Sequence, residues 1–142
     1  MEKLPLSTIL NEMKHILTYT SLVAVTMFLG LQTRNPELEL PKFIVDHGGD
    51  ALWTMMAYWG IRLISPKRKP SFAFVVALSF SCTIEITQLY QADWANELRR
   101  NKIVALIFGS GFLWIDIVRY TAGALLGLGI DKFLIKGRLL KQ

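Results

Sequence analysis

Three carboxylates, an amide and a phenol stand at spacings that would let them act together. Glu85 and Gln88 are three residues apart, the interval that puts two side chains on one face of a helix. Ser81, one turn earlier, extends that face. Asp116, Tyr120, Gly123 and Gly127 recur every three to four residues and share a second face. Asp50, Trp53, Thr54 and Ala57 make a third. Carboxylates beside a guanidinium suit a phosphate or sugar-phosphate head, met directly or through Mg²⁺, which prefers oxygen ligands. Arg99 and Arg100, in a polar stretch just after Gln88, supply that guanidinium. The candidate binding cluster is therefore Glu85, Gln88, Asp116, Tyr120, Asp50, Arg99 and Arg100. No catalytic residue stands out, and whether the chain is an enzyme is open at this point. No cofactor is expected, with Mg²⁺ the one ion the carboxylates leave open. The two histidines, His15 and His47, fall on opposite sides of the topology derived below, which rules out a histidine zinc site. P-loop, GxGxxG, HExxH and GxSxG patterns are absent.

The elements that must position these residues are apolar runs. A helix needs roughly 20 predominantly apolar residues to cross the hydrocarbon core of a bilayer. Ile16 to Leu31 holds no charge, Ser71 to Tyr90 holds only Glu85, and Ala51 to Ile64 holds only Arg62. Ile103 to Ile130 holds only Asp116 and Arg119. A 142-residue soluble domain has no core able to bury four such runs. The expected fold is an all-α membrane protein of one domain, residues 1–142, with transmembrane helices at about 15–32, 50–65, 71–90 and 114–134. Residues 2–15 form a short amphipathic lead-in. No small-residue cleavage site follows the first run, so it reads as an uncleaved helix rather than a signal peptide. Pro66 and Pro70 bracket a tight basic turn between the second and third helices. Gly109-Ser110-Gly111 interrupts the last run, and Ile103 to Ile115 is too short to cross alone. That piece is either re-entrant or interfacial.

The basic residues set the sidedness. Lys3, Lys14, Lys67, Arg68, Lys69, Lys132, Lys136, Arg138 and Lys141 fall on one side; Arg34, Lys42, Arg99, Arg100 and Lys102 fall on the other. The positive-inside bias puts the larger group, and both termini, in the cytoplasm. The net charge of +5 is thus a topology signal rather than a nucleic-acid footprint. This topology brings Asp50, Glu85, Gln88, Asp116, Tyr120 and the Arg99-Arg100 pair to the outer leaflet. The lone Cys82 sits in an apolar run and suits packing.

Structural roles compete for each residue. Asp50 follows Gly48-Gly49 and would make an ordinary N-cap for the second helix. Asp116 would complement the positive end of the last helix. Glu85 fits worst, because an acid near a helix C-terminus opposes the macrodipole. Arg62 reads as a snorkelling side chain, Arg119 as a bundle ion pair, and His47 as a loop residue. Trp53, Tyr58, Trp59, Tyr90, Trp94 and Trp114 suit interfacial belts. Gly123 and Gly127 form a small-xxx-small face that would hold the last helix close to a neighbour or to a membrane-protein partner.

These residues together resemble the VanZ-like family. Its pattern is E-x-x-Q closing one helix, an arginine, then D-x-x-x-N-x-x-G-x-x-x-G opening the last. Here the matching residues are Glu85 and Gln88, an arginine of the following segment, then Asp116, Tyr120, Gly123 and Gly127. A nearer likeness is to a sister group of short bacterial membrane proteins that carries only a domain-of-unknown-function label. Its hallmarks stand here as Gly30-Leu31-Gln32-Thr33-Arg34, Gly49-Asp50-Ala51-Leu52-Trp53, Glu85-x-x-Gln88-Leu89-Tyr90, Phe112 and Asp116-x-x-x-Tyr120. Tyr120 replaces the VanZ asparagine and Trp53 a frequent histidine, so a function tied to those groups need not transfer. VanZ-like proteins are associated with resistance to a glycopeptide antibiotic; the sister group implies a small bacterial membrane protein and no activity.

Three functions remain in competition. The first is binding of an amphiphile or lipid-linked head group at an outer-leaflet polar site. The second is a non-catalytic accessory protein holding a membrane partner. The third and weakest is a small transporter, since the first helix carries no carboxylate in its apolar run. Membrane lipid is the expected surrounding partner, and nucleic acid is not expected.

Overall fold

Prolines, more than glycines, decide where the helices start. The computed structural model of the chain describes residues 5–109 and 111–139. It holds six α-helices, one short 3₁₀ turn at Pro36–Leu38, and no strand among the described residues. Lys3 and Lys141 of the charge tally, and Ser110 of the interrupting triplet, lie outside the described residues.

Helix α1, Leu6–Gln32, starts directly after Pro5, so residues 6–15 of the amphipathic lead-in are a continuous part of the first helix. Helix α2, Lys42–Ile64, starts after Pro41, whose φ of −51° already suits helix entry. This corrects two expectations. Asp50 lies two turns inside α2 and is not its N-cap, and His47 is helical rather than in a loop. The Gly48-Gly49 pair does not break α2 but lets the end of α1 approach: a Cβ at Gly48 would sit 3.1 Å from Thr33 Cγ2. Helix α3, Pro70–Thr87, has Pro at its first position. Two seven-residue helices follow, α4 at Asp93–Arg99 and α5 at Lys102–Phe108, packed on each other. Each rises only about 10 Å, too little to cross a bilayer. Helix α6 is Trp114–Leu139.

The four long helices pack with α2 at the centre: α1 lies on α2, α2 also contacts α3 and α6, and α3 contacts α6. Helices α2, α3 and α6 each turn a one-in-four stripe inward. On α2 the stripe is Asp50, Thr54, Tyr58 and Arg62; on α3 it is Ala73, Ala77, Ser81 and Glu85. On α6 it is Asp116, Tyr120, Ala124 with Gly123, Gly127 and Asp131. The largest fully buried side chains include Glu85, Thr54, Asp131 and Ser81 beside Tyr19, Tyr58 and Trp59. Thr54 donates to Ser81 Oγ at 2.9 Å, a polar contact inside the bundle. Tyr58 and Trp59 are therefore core residues and not belt residues, whereas Tyr90, Trp94 and Trp114 are exposed.

Gly123 and Gly127 meet α2 of the same chain. A Cβ at Gly123 would collide with the Ala51 carbonyl, and one at Gly127 would lie 3.1 Å from the Tyr58 ring. Of the two roles expected for these glycines, a neighbouring helix or a partner, the close approach seen is to the neighbouring helix α2.

Many large apolar side chains, such as Phe28, Phe80, Val118 and Phe133, point outward and are exposed. Helices α1 and α3 are long and apolar enough to cross a membrane by length and composition. Helix α2 carries Lys42, Asp46, Asp50 and Arg62, α6 carries Asp116, Arg119, Asp131 and Lys132, and neither meets the same standard. Of the four expected spans, composition alone thus supports two.

Candidate binding site

The site starts from the end of α3. Glu85 is fully buried there, and its carboxylate accepts three hydrogen bonds. Oε1 takes the Leu113 backbone N–H at 2.7 Å; Oε2 takes the Tyr120 hydroxyl at 2.9 Å and the Gln88 amide at 3.0 Å. Gln88 Oε1 in turn accepts from the Gly111 N–H at 3.0 Å. The three-residue spacing of Glu85 and Gln88 thus matches alternate N–H groups of the strap between α5 and α6. Gly109 begins that strap at φ 67°, a left-handed backbone that glycine adopts freely, and the Gln88 amide occupies the space a Cβ would need. Glu85 was hard to explain on its own helix. It belongs electrostatically to the next one, where a carboxylate at the entry to α6 complements the macrodipole. No salt bridge reaches it among the described residues.

Beside it lies a chain of alternating charge. Arg119 Nη1 is 2.5 Å from Asp116 Oδ1 and 3.1 Å from Asp50 Oδ2, and Arg119 Nε donates to His47 Nδ1 at 2.8 Å. Arg34 Nη2 stands 3.9 Å from Asp50 Oδ1. Arg119 is held tightly, with its side chain 14% exposed; Arg34 is held by one long contact and is 47% exposed. A cavity of about 240 Å³ opens between them, lined by Arg34, Asp50, Gln88, Asp116, Arg119 and Tyr120 among others. It is smaller than the roughly 300–1,000 Å³ of pockets for drug-sized ligands, and suits a small polar head.

Of the residues expected here, the structure brings together Glu85, Gln88, Asp116, Tyr120 and Asp50. Arg99 and Arg100 lie elsewhere. Arg99 donates to the Thr87 and Tyr90 carbonyls, each at 2.8 Å, at and just past the C-terminal end of α3. Arg100 pairs with Glu97 at 2.9 Å on the surface of α4. The reason is that residues 93–99 form a helix rather than a loop, which turns Arg99 back onto α3. The cations that line the cavity are Arg119, one turn after Asp116, and Arg34, just past the C-terminal end of α1. Among the described residues no group of three His, Cys, Asp or Glu could hold a metal ion. Asp50 and Asp116 each commit an oxygen to Arg119 instead.

A second polar cluster, at the opposite end of α6, escaped sequence reasoning. Asp131 accepts from the Tyr19 hydroxyl and from the Tyr58 hydroxyl at 2.7 Å, and Arg62 Nε lies 2.7 Å from its Oδ2. Arg62 also donates to the Arg68 carbonyl at 2.7 Å and sits 5.3 Å from the Tyr19 ring centroid. It is buried in the bundle and does not snorkel. The signal was present: Asp131 continues the α6 stripe one turn past Gly127, and Arg62 continues the α2 stripe one turn past Tyr58.

Fold and site define a helical bundle with a polar interior, an apolar exterior and a small charged cavity at one end. The family described as "Protein of unknown function (DUF2809)" matches residues 39–124, more than half of the chain, and the chain belongs to that family. The match runs from just before α2 into α6 and takes in Asp50, Glu85, Gln88, Asp116 and Tyr120. Nothing in it extends to the VanZ-like proteins. No solved structure matches the chain.

Proposed function

We propose that the chain is a multi-pass membrane protein that receives the polar head of an amphiphile in its charged cavity. The observation that carries this reading is the inverted distribution of polarity. Glu85, Asp131, Arg62, Thr54 and Ser81 are buried, while phenylalanines, leucines and isoleucines cover the outside. Water disfavours so large an apolar exterior, and a bilayer favours it. Ionisable groups buried within such a bundle mark functional sites by default. In this reading α1, α2, α3 and α6 are the four spans, α4 and α5 lie at the outer interface, and both termini are cytoplasmic. Exposed Trp94 and Trp114 then act as interfacial anchors. The charges on α2 and α6 do not oppose this, because Asp50, Arg62, Asp116, Arg119 and Asp131 are paired inside the bundle. The VanZ-like resemblance and a bacterial source belong to this reading.

A second reading, a static accessory protein, is favoured by one observation: the Glu85 carboxylate is taken up by Leu113, Gln88 and Tyr120 of its own chain and is not free for a ligand. Native mass spectrometry of the protein released from mild detergent separates the two. Amphiphile binding gives a persistent lipid-mass adduct that Arg34→Gln weakens. A protein that never carries an adduct is the accessory form. For topology, a reporter active only outside the cytoplasm should be silent after Gln142 and active when inserted near Glu39 or Asn96. An active reporter at the C-terminus removes the four-span arrangement.

A further inference from the structure

The charged cavity does not end at its polar walls. Arg34, Trp53 and Ile107 line it, and the same three residues line an apolar groove of about 320 Å³ between α1 and α2. The groove continues past Gly30 to Thr26 on α1 and past Leu52 to Met56 on α2. From Arg34 to Thr26 the descent is about 12 Å along the helix, and from Gly49 to Met56 about 10 Å, so the two walls run down together. Gly30 keeps the groove open: the nearest atom to a Cβ built there is Leu52 Cβ at 3.7 Å, an ordinary contact, so anything longer would lie across the groove.

Charge is ordered along this path. The groove contains no carboxylate. Arg34, loosely held, stands at its junction with the cavity. Asp50 and Asp116 line the cavity beyond. Among the described residues, Asp50 Oδ1 has only the 3.9 Å contact with Arg34, and Asp116 Oδ2 takes no hydrogen bond. Two arginines and two aspartates leave the lining formally neutral. A bare phosphate would turn this neutral lining net negative beside the two aspartates. A head that carries an amine beyond its phosphate meets them with the opposite sign.

We infer that the groove and cavity form one site for an amino-phospholipid: acyl chain between α1 and α2, phosphate on Arg34, and ammonium at Asp50 and Asp116. This rests on the reading of the cavity as a head-group site and adds the tail path and the zwitterionic head. The order tail, phosphate, amine is the order of groove, Arg34, aspartates. An ammonium has three donors and no acceptor, which suits the open carboxylate oxygens.

The experiment uses the full chain in detergent, with dioleoyl phosphatidylethanolamine, dioleoyl phosphatidylglycerol and soluble phosphoethanolamine as probes, and retention read by native mass spectrometry. Phosphatidylethanolamine should be retained about tenfold over phosphatidylglycerol, and Asp50→Asn should erase that preference. Gly30→Leu should lower phosphatidylethanolamine retention by about tenfold in protein whose helicity and monodispersity are unchanged. If Gly30→Leu fails to fold, Met56→Trp blocks the same groove from α2. Equal retention of the two lipids overturns the amine subsite. Full retention in the groove-filling variants, or binding of phosphoethanolamine as strong as that of the lipid, overturns the tail path while the head-group reading stands. Retention of none of the three overturns both.

Discussion

The two ends of the bundle use the same side chains to opposite effect. At one end Arg62, Asp131, Tyr19 and Tyr58 close on each other, with the ion-pair side chains 6% and 0% exposed. At the other, Arg119, Asp116, Asp50 and Arg34 make a looser chain whose outermost pair is 3.9 Å apart and 47% and 26% exposed. Residue type does not separate them; satisfaction and access do. Asp131 receives two hydroxyls and a guanidinium, and its partner Arg62 is further tied to the turn after α2 through Arg68. That set is a lock holding α1, α2 and α6 together. At the other end Glu85 and Gln88 do the locking, on the strap, and leave Arg34, Asp50 and Asp116 facing a cavity.

The largest effect is expected at the closed end. Arg62→Met should strand Asp131 without a cation and cost about 3–5 kcal/mol, the usual penalty for halving a buried pair. Thermal unfolding in detergent should show a large drop. The double variant Arg62→Met with Asp131→Leu should recover much of it, because the uncompensated charge is gone. A single variant as stable as the parent would show that the pair is open to solvent. Next in size is Gly127→Leu. A branched side chain there drives into the Tyr58 ring, and overpacking of this kind costs about 1–3 kcal/mol. Unchanged stability would mean that this face of α6 looks outward.

Glu85→Gln should cost less and act locally. The substituted amide puts a donor where Leu113 N–H or Tyr120 O–H already donates, leaving one polar group unpaired for about 1–3 kcal/mol at most. Hydrogen exchange is the sharper measurement. Amides at Gly111 and Leu113 should exchange faster while those of α2 and α6 stay protected. Uniform loss of protection would make Glu85 a global keystone and bring the two ends closer in kind.

What was legible in the sequence follows from these contacts. The long helices show in their apolar runs, and the Glu85–Gln88 and Asp116–Tyr120 faces show in their spacing, because helical periodicity is local. Helix starts are less legible. Gly48-Gly49 looks like a break, but α1 packs over it and Pro41 has already begun α2. The arginines of the cavity are illegible for a related reason. Arg99 and Arg100 are near Gln88 in sequence, yet α4 turns one to the α3 carbonyls and the other to the surface. Arg34 is distant in sequence and reaches the cavity only through the α1–α2 crossing. Asp131 lay on the α6 stripe, but Lys132 beside it resembles a helix end meeting water. Only the pairing with Arg62, on another helix, shows it to be interior.

Arg34→Gln, at the open end, should give the smallest change in stability. The side chain is about half exposed and holds Asp50 by a single long contact, so its loss should cost well under about 1 kcal/mol. The melting temperature in detergent should scarcely move. Asp50 keeps its stronger partner, Arg119 at 3.1 Å, and the strap keeps Glu85 and Gln88. Binding should respond differently. Of the two arginines in the cavity lining, Arg34 is the one not held by a carboxylate at close range, and it stands where the cavity meets the groove. Removing it takes away the donor for a phosphate without disturbing the packing that shapes the site. Arg34→Lys keeps the charge but loses the planar fork that meets two phosphate oxygens at once, and should retain part of the binding. A protein whose stability falls with Arg34→Gln as far as with Arg62→Met would make Arg34 a second lock, and the open end would then be no different in purpose from the closed one.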